Sequence, residues 1–165
     1  MNFLFLCTHN ACRSILSEAV FNQLAPAGHA AASAGSAPAG TLHPGAIAQL
    51  ERHGIATAGY ASKSWDDLPL QPDVVVTVCA NAAGEACPAY LGDVVRTHWG
   101  LDDPSRATGS AHAIKEAFER TYQIVLARTH ALFALPLAQL AADPQALKQA
   151  LDRIGESVPG EDSAC

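Results

Sequence analysis

A three-layer α/β sandwich, with a mainly parallel four-stranded sheet flanked by helices, is the fold this sequence predicts. Three observations carry the prediction. Short apolar runs of strand length alternate along the chain with longer segments of helical period. The run at 73–78 (DVVVTV) is almost entirely valine and threonine, as a strand buried on both faces should be. A chain of 165 residues with 49% hydrophobic side chains makes one domain whose core needs no disulfides.

Residues 2–6 (NFLFL) form an apolar run cut off by the turn-like CTHN, which reads as a buried strand. From Arg13 the stretch SILSEAVFNQLA sets Ile15, Ala19, Val20 and Leu24 on one helical face, and APAGH ends it. The small-residue run HAAASAG makes a second strand closing at Ser33, Ala34 and Gly35. HPGAIAQLERHG follows as a helix, with Pro44 in its first turn and Gly54 at its stop. After the strand at 73–78 comes a weaker one, DVVRTHWG. A long helix is expected over 110–135, with Ile114, Ala117, Phe118, Thr121, Ile124, Val125 and Leu132 on one buried stripe, and another over 143–154. The polar ending GESVPGEDSAC completes the prediction of one domain over 1–155 and a flexible tail over 156–165. Parallel sheets bind ligands at the carboxyl ends of their strands, so Cys7, Ser33, Cys79 and HWGLDDP should gather on one rim.

A net charge of −6, with only 16% charged residues, argues against nucleic-acid and membrane-surface roles, because those partners are anionic themselves. A small anion is still allowed, since a pocket of backbone N–H groups can hold one against the global charge. No apolar run reaches the length of a membrane span. The start MNFLFLC has no basic region and no cleavage site, which predicts no secretory signal and a cytoplasmic location. Five cysteines (Cys7, Cys12, Cys79, Cys87 and Cys165) are an odd set, and in a reducing compartment they do not read as a disulfide framework. Burial as a small hydrophobe suits Cys12, and Cys165 reads as an exposed thiol without function. Structural zinc is disfavoured because C-x4-C and C-x7-C miss its close spacings.

The stretch CTHNACRS, residues 7–14, carries the chemistry. A strand stopping at Cys7 and a helix starting near Arg13 leave a loop whose N–H groups converge at a helix N-terminus, a nest for a tetrahedral oxyanion. Thr8, His9, Asn10, Ala11, Cys12, Arg13 and Ser14 are the anion-binding candidates. Arg13 can add a planar fork to two of the anion's oxygens. The same positive surroundings predict a depressed pKa and a nucleophilic thiolate at Cys7, with Ser14 donating its hydroxyl to that sulfur. An ordinary strand–turn–helix with a chance cysteine and arginine is the competing explanation. The motif's place between strand and helix weighs against it.

C-x5-R-S at the N-terminus resembles the low-molecular-weight protein tyrosine phosphatase superfamily, and within it the chain is similar to the thiol-coupled arsenate reductases. The resemblance spans residues 1 to about 135 and rests on CTHNACRSILSEAVFN, SAG, VVTVCANAAGEACP and HWGLDDPS. Asp103-Pro104 is followed by Ser105 rather than the tyrosine usual in the phosphatases, which points to a pocket for a bare anion. The resemblance implies that Cys7 attacks arsenate while Asp103, the aspartate before proline, acts as general acid; Asp102 is then a capping group. It further implies that Cys79 and Cys87 take up the oxidising equivalents in turn, across the flexible loop ANAAGEA. No tightly bound cofactor is implied. The external reductant is thioredoxin or glutathione with glutaredoxin, left open because the gap between these cysteines is about one residue longer than in thioredoxin-coupled members. Some such reductases bind potassium; here Asn10, Glu18, Ser33 and Ser62, with Ser64 near, form the candidate set, and Lys63 is the alternative occupant. Asn10 is expected to brace the loop against Ser33, and His9 to be exposed. Two other readings compete: a phosphatase using Cys7, Arg13 and Asp103 alone, and a non-catalytic oxyanion sensor.

Overall fold

The apolar run behind Met1 folds as β1 (Asn2–Leu6), with Phe3, Leu4, Phe5 and Leu6 all buried. In the computed structural model, which describes residues 1–84 and 91–160, it pairs in parallel with β2 (Ala30–Ala34) on one side and β3 (Val74–Thr77) on the other. The strand β4 (Val95–His98) adds in parallel outside β3, so the order is β2-β1-β3-β4. The result is the three-layer sandwich the alternation predicts. β4 is shorter than the eight residues of DVVRTHWG, although Trp99 N–H still bonds to Thr77 O at 2.8 Å.

The helices are α1 (Arg13–Leu24), α2 (Pro44–Arg52), α3 (Ala80–Gly84), α4 (Ala111–Phe133), α5 (Leu137–Leu140) and α6 (Pro144–Ser157). Pro44 opens α2 as expected, and the His43 ring caps it by accepting from the Gly45 N–H. Ser110 and Asp143 cap α4 and α6 through their side-chain oxygens. A core of Phe3, Phe5, Phe21 and Phe133 rings, centroids 4.9–6.0 Å apart along the chain of contacts, fixes α1 and α4 to the sheet.

Several boundaries differ from expectation. α1 is buried over 13–21 on all sides rather than on one face, because its first turns are enclosed by site residues as well as by the sheet. The buried stripe of α4 runs through Phe118, Thr121, Tyr122, Val125, Arg128, Thr129 and Leu132, so Ile114, Ala117 and Ile124 flank it. Residues 80–84, expected within a loop, form a helical turn whose Ala82 is buried. The helix α6 continues through Ser157, and Gly160 is buried, so the expected tail is ordered up to that point; residues 161–165, with Cys165, lie outside the described residues.

Candidate functional site

Because all four strands are parallel, their carboxyl ends share one rim, and sheet bonding continues past the named strands. Cys7 N–H donates to Ala34 O at 3.3 Å, Val78 N–H to Leu6 O at 2.9 Å, and Leu101 N–H to Val78 O at 3.0 Å. These bonds bring Cys7, Gly35, Cys79 and the 99–103 segment together. Gly35 has a steric reason to be glycine: a Cβ there would lie 2.4 Å from Thr8 O and 2.8 Å from Cys7 O.

The loop after Cys7 turns its carbonyls outward. Thr8 O accepts from Ala37 N–H at 3.0 Å, His9 O from Ala39 N–H at 2.9 Å, and Ala11 O from His43 N–H at 2.9 Å. In a trans peptide the next N–H points opposite to the carbonyl, so the N–H groups of His9, Asn10 and Cys12 point into the loop. The His9 N–H is a donor to Cys7. The His9 ring turns away, Nδ1 3.2 Å from Ala37 O, so in this loop the residue offers its backbone rather than its side chain.

Asn10 takes the left-handed φ of 46° that asparagine tolerates, and is fully buried. Its Nδ2 donates to Ser14 Oγ at 2.8 Å and Ser33 Oγ at 2.9 Å, while its Oδ1 accepts from Lys63 N–H at 2.8 Å. Ser33 in turn donates to Glu18 Oε2 at 2.5 Å. Burial raises the Glu18 pKa, opposed by Ser33 and by the Lys63 ammonium 4.0 Å away. These oxygens are therefore already engaged with N–H or O–H partners. Ser62 points elsewhere, donating to His9 O at 3.2 Å and accepting from Gly40 N–H at 3.1 Å. Asn10, Ser33 and Glu18 thus form one hydrogen-bonded chain, and the Lys63 ammonium is a cation beside Glu18.

Cys7 and Cys79 are buried free thiols that share a hydrogen bond. That bond, then burial, pushes Cys7 above its ordinary range, against the pull of Arg13 and the His9 N–H. The same bond draws Cys79 down to about 5, helped by the Ala82 N–H 3.3 Å from its sulfur and by Thr8, whose Oγ1 is 3.7 Å away. The expected depression at Cys7 is thus corrected. Two neighbouring sulfurs cannot both ionise readily, so the pair titrates as a unit. Cys12 is buried, its pKa pushed up to about 12 by desolvation and then by Asp103. Cys87 lies outside the described residues.

Arg13 links the loop to the last wall of the site. Its NH1 donates to Leu101 O at 3.1 Å and its NH2 lies 3.4 Å from Asp103 Oδ2. Asp103 Oδ1 accepts from Ser105 N–H at 3.0 Å and from Ser105 Oγ at 2.6 Å, capping the short turn Pro104–Arg106. Capping thus falls to Asp103 rather than to Asp102, whose N–H bonds to Gly160 O at 3.3 Å. The sequence signal for Ser105 as an orienting group is its place two residues after the aspartate, the spacing of such a cap. Among the described residues, no group of three or more His, Cys, Asp or Glu side chains is arranged to hold a metal.

The sequence model of the family described as "Low molecular weight phosphotyrosine protein phosphatase" matches residues 2–147. An arsenate reductase of Bacillus subtilis is 38% identical over 117 residues, 70% of this chain and 83% of the relative. One from Halalkalibacterium halodurans is 36% identical over the same shares. Among solved structures, an arsenate reductase in its phosphate-binding state superimposes with a TM-score of 0.67 at 27% identity, covering 81% of this chain and 96% of the other.

Proposed function

This chain belongs to the low molecular weight phosphotyrosine protein phosphatase family, and from that premise we propose that it is an arsenate reductase, drawing electrons from its own thiols and returning to the reduced state through an external thiol partner. The observation that carries the reading is that the paired ends of β1 and β3 bring a second buried thiol, Cys79, beside the Cys7 loop, its sulfur 3.7 Å from Thr8 Oγ1. A hydrolase of this architecture needs one sulfur, whereas reduction of arsenate to arsenite needs two electrons, which a pair of thiols supplies on becoming a disulfide.

The N–H groups of the loop and the Arg13 guanidinium bind arsenate. Cys7 passes its proton along the S–H···S bond to Cys79 and attacks arsenic. The departing oxygen leaves as water with a proton from Asp103. Cys79, giving up its proton to an arsenic-bound oxygen, then attacks the Cys7 sulfur; the S–As bond breaks and its electron pair stays on arsenic. One arsenate and two thiols have become arsenite, water and the Cys7–Cys79 disulfide. Cys87 attacks Cys79 next, forming Cys79–Cys87 and freeing Cys7. Asn10 and Ser33 hold the loop, Ser14 has its O–H proton available for Cys7, and Lys63 supplies positive charge beside Glu18 where some relatives would use potassium.

Thioredoxin is the favoured reductant, with glutathione and glutaredoxin the other candidate; a solved relative from Corynebacterium glutamicum, 26% identical with a TM-score of 0.57 and covering 81% of this chain and 60% of that one, is a thioredoxin-dependent arsenate reductase. Hydrolysis of phosphate monoesters is the second reading, since it shares Cys7, Arg13 and Asp103. The net negative charge fits a small-anion substrate better than nucleic acid, and among the described residues no helix is long and apolar enough to cross a membrane. The test is arsenate-dependent NADPH oxidation, run separately with a thioredoxin system and with glutathione plus glutaredoxin. Turnover with either supports the reading; none with both, alongside phosphate-ester hydrolysis, replaces it with the phosphatase.

A further inference from the structure

Arg128, on α4, is 2% exposed, and its guanidinium spans three carbonyls. NH1 donates to Trp99 O at 2.7 Å and Gly100 O at 3.1 Å, NH2 to Gly100 O at 3.1 Å, and Nε to Val158 O at 2.9 Å. A guanidinium is a rigid plane, so carbonyls held on its edges are fixed relative to one another. Two of them belong to the segment that delivers Asp103, and the third to the chain leaving α6.

The segment is tied from other directions too. Trp99 N–H bonds to Thr77 O at 2.8 Å, Trp99 Nε1 to Leu151 O at 2.9 Å, and Leu101 O receives Arg13. Asp102 N–H reaches Gly160 O. Backbone meets backbone there: a Cβ on Gly160 would stand 1.9 Å from Gly100 O, and one on Gly155 2.9 Å from His98 O. Peptide groups from Trp99 to Asp102 are anchored one after another, and Asp103 is the next residue. Residues 158–160 lie beyond 147, where the family match ends.

We propose that Arg128, together with the backbone of residues 158–160, is a positioning device for the Asp103 carboxyl, holding it where a bound oxyanion's leaving oxygen meets Arg13. The proposal rests on the reading of Asp103 as general acid. Its test is a double-mutant cycle of Arg128→Gln and Asp103→Asn, read in single-turnover arsenite release and, in parallel, in p-nitrophenyl phosphate hydrolysis. Arg128→Gln should lower the rate at saturating substrate about tenfold with KM changed less than about twofold, and should cost less than about twofold when Asp103 is already Asn. Arg128→Lys should recover part of the loss. Equal factors in both backgrounds would overturn the proposal, because a merely structural arginine acts whether or not the acid is present. If Arg128→Gln does not fold, Gly160→Val, which displaces the 158–160 backbone from Gly100, takes its place in the cycle. A wild type that releases no arsenite but hydrolyses the ester sinks the reductase reading alone, and the ester cycle still decides the clamp. A chain that turns over neither substrate overturns both, since no acid chemistry is left for Arg128 to serve.

Discussion

At the scale of single residues, the Cys7–Cys79 pair sets the chemistry, and its shared proton makes a directional prediction. The bond to Cys79 is the largest cause raising Cys7, so Cys79→Ala should bring the Cys7 ionisation midpoint down. The same bond is the largest cause lowering Cys79, so Cys7→Ala should move the Cys79 midpoint up from about 5. Ultraviolet thiolate absorbance against pH measures both; a Cys7 midpoint unmoved by loss of Cys79 would refute the shared proton. The acid gives a second prediction. Asp103→Asn should slow arsenic–sulfur bond formation by about 10²–10⁴-fold, and Asp102→Asn by far less, as rapid-quench kinetics can show. Cys7, Arg13 and Asp103 were legible in the sequence because each sits in a short motif beside a strand end. The coupling of Cys7 to Cys79 was not, because it depends on two sulfurs brought together by the sheet from distant parts of the chain.

At the scale of elements, the anion loop depends on the close approach of β2's end to β1's. Gly35→Ala places a Cβ against the Thr8 and Cys7 carbonyls, neither of which can yield without moving the loop. Phosphate or arsenate affinity, measured by calorimetry, should fall at least about tenfold, while α4 and α6 keep their helical signal. Affinity equal to the wild type would mean the loop is not braced there. Strand positions were readable to within a few residues from apolar runs, most clearly in DVVVTV. The helical turn after Cys79 was hidden by its alanines and glycine, which suit loop and helix alike until tertiary packing buries Ala82. Likewise the apolar pattern of α1 marks one face alone, while Ser14, Ser17 and Glu18 are buried among site and backbone partners that the pattern does not show.

At the scale of the whole molecule, a parallel sheet in the order β2-β1-β3-β4 places the nucleophile on a central strand with the second thiol on its neighbour. Strand alternation announced that architecture, and the rule that parallel sheets bind ligands at their carboxyl ends announced the rim. The C-terminal clamp was not announced. It is made of backbone carbonyls and two glycines, which carry no side-chain signature, and of Arg128, which resembles any helical arginine until the fold buries it.

The central claim is that electrons leave this protein through Cys7 and Cys79, and then Cys87. Mass spectrometry of alkylated protein after a single exposure to arsenate tests it most directly. In Cys87→Ser, a Cys7–Cys79 disulfide should accumulate, because no thiol remains to attack Cys79. In the wild type the disulfide should instead be found between Cys79 and Cys87. Absence of any disulfide among the three in arsenate-treated wild type, with phosphate-ester hydrolysis intact, would contradict the account.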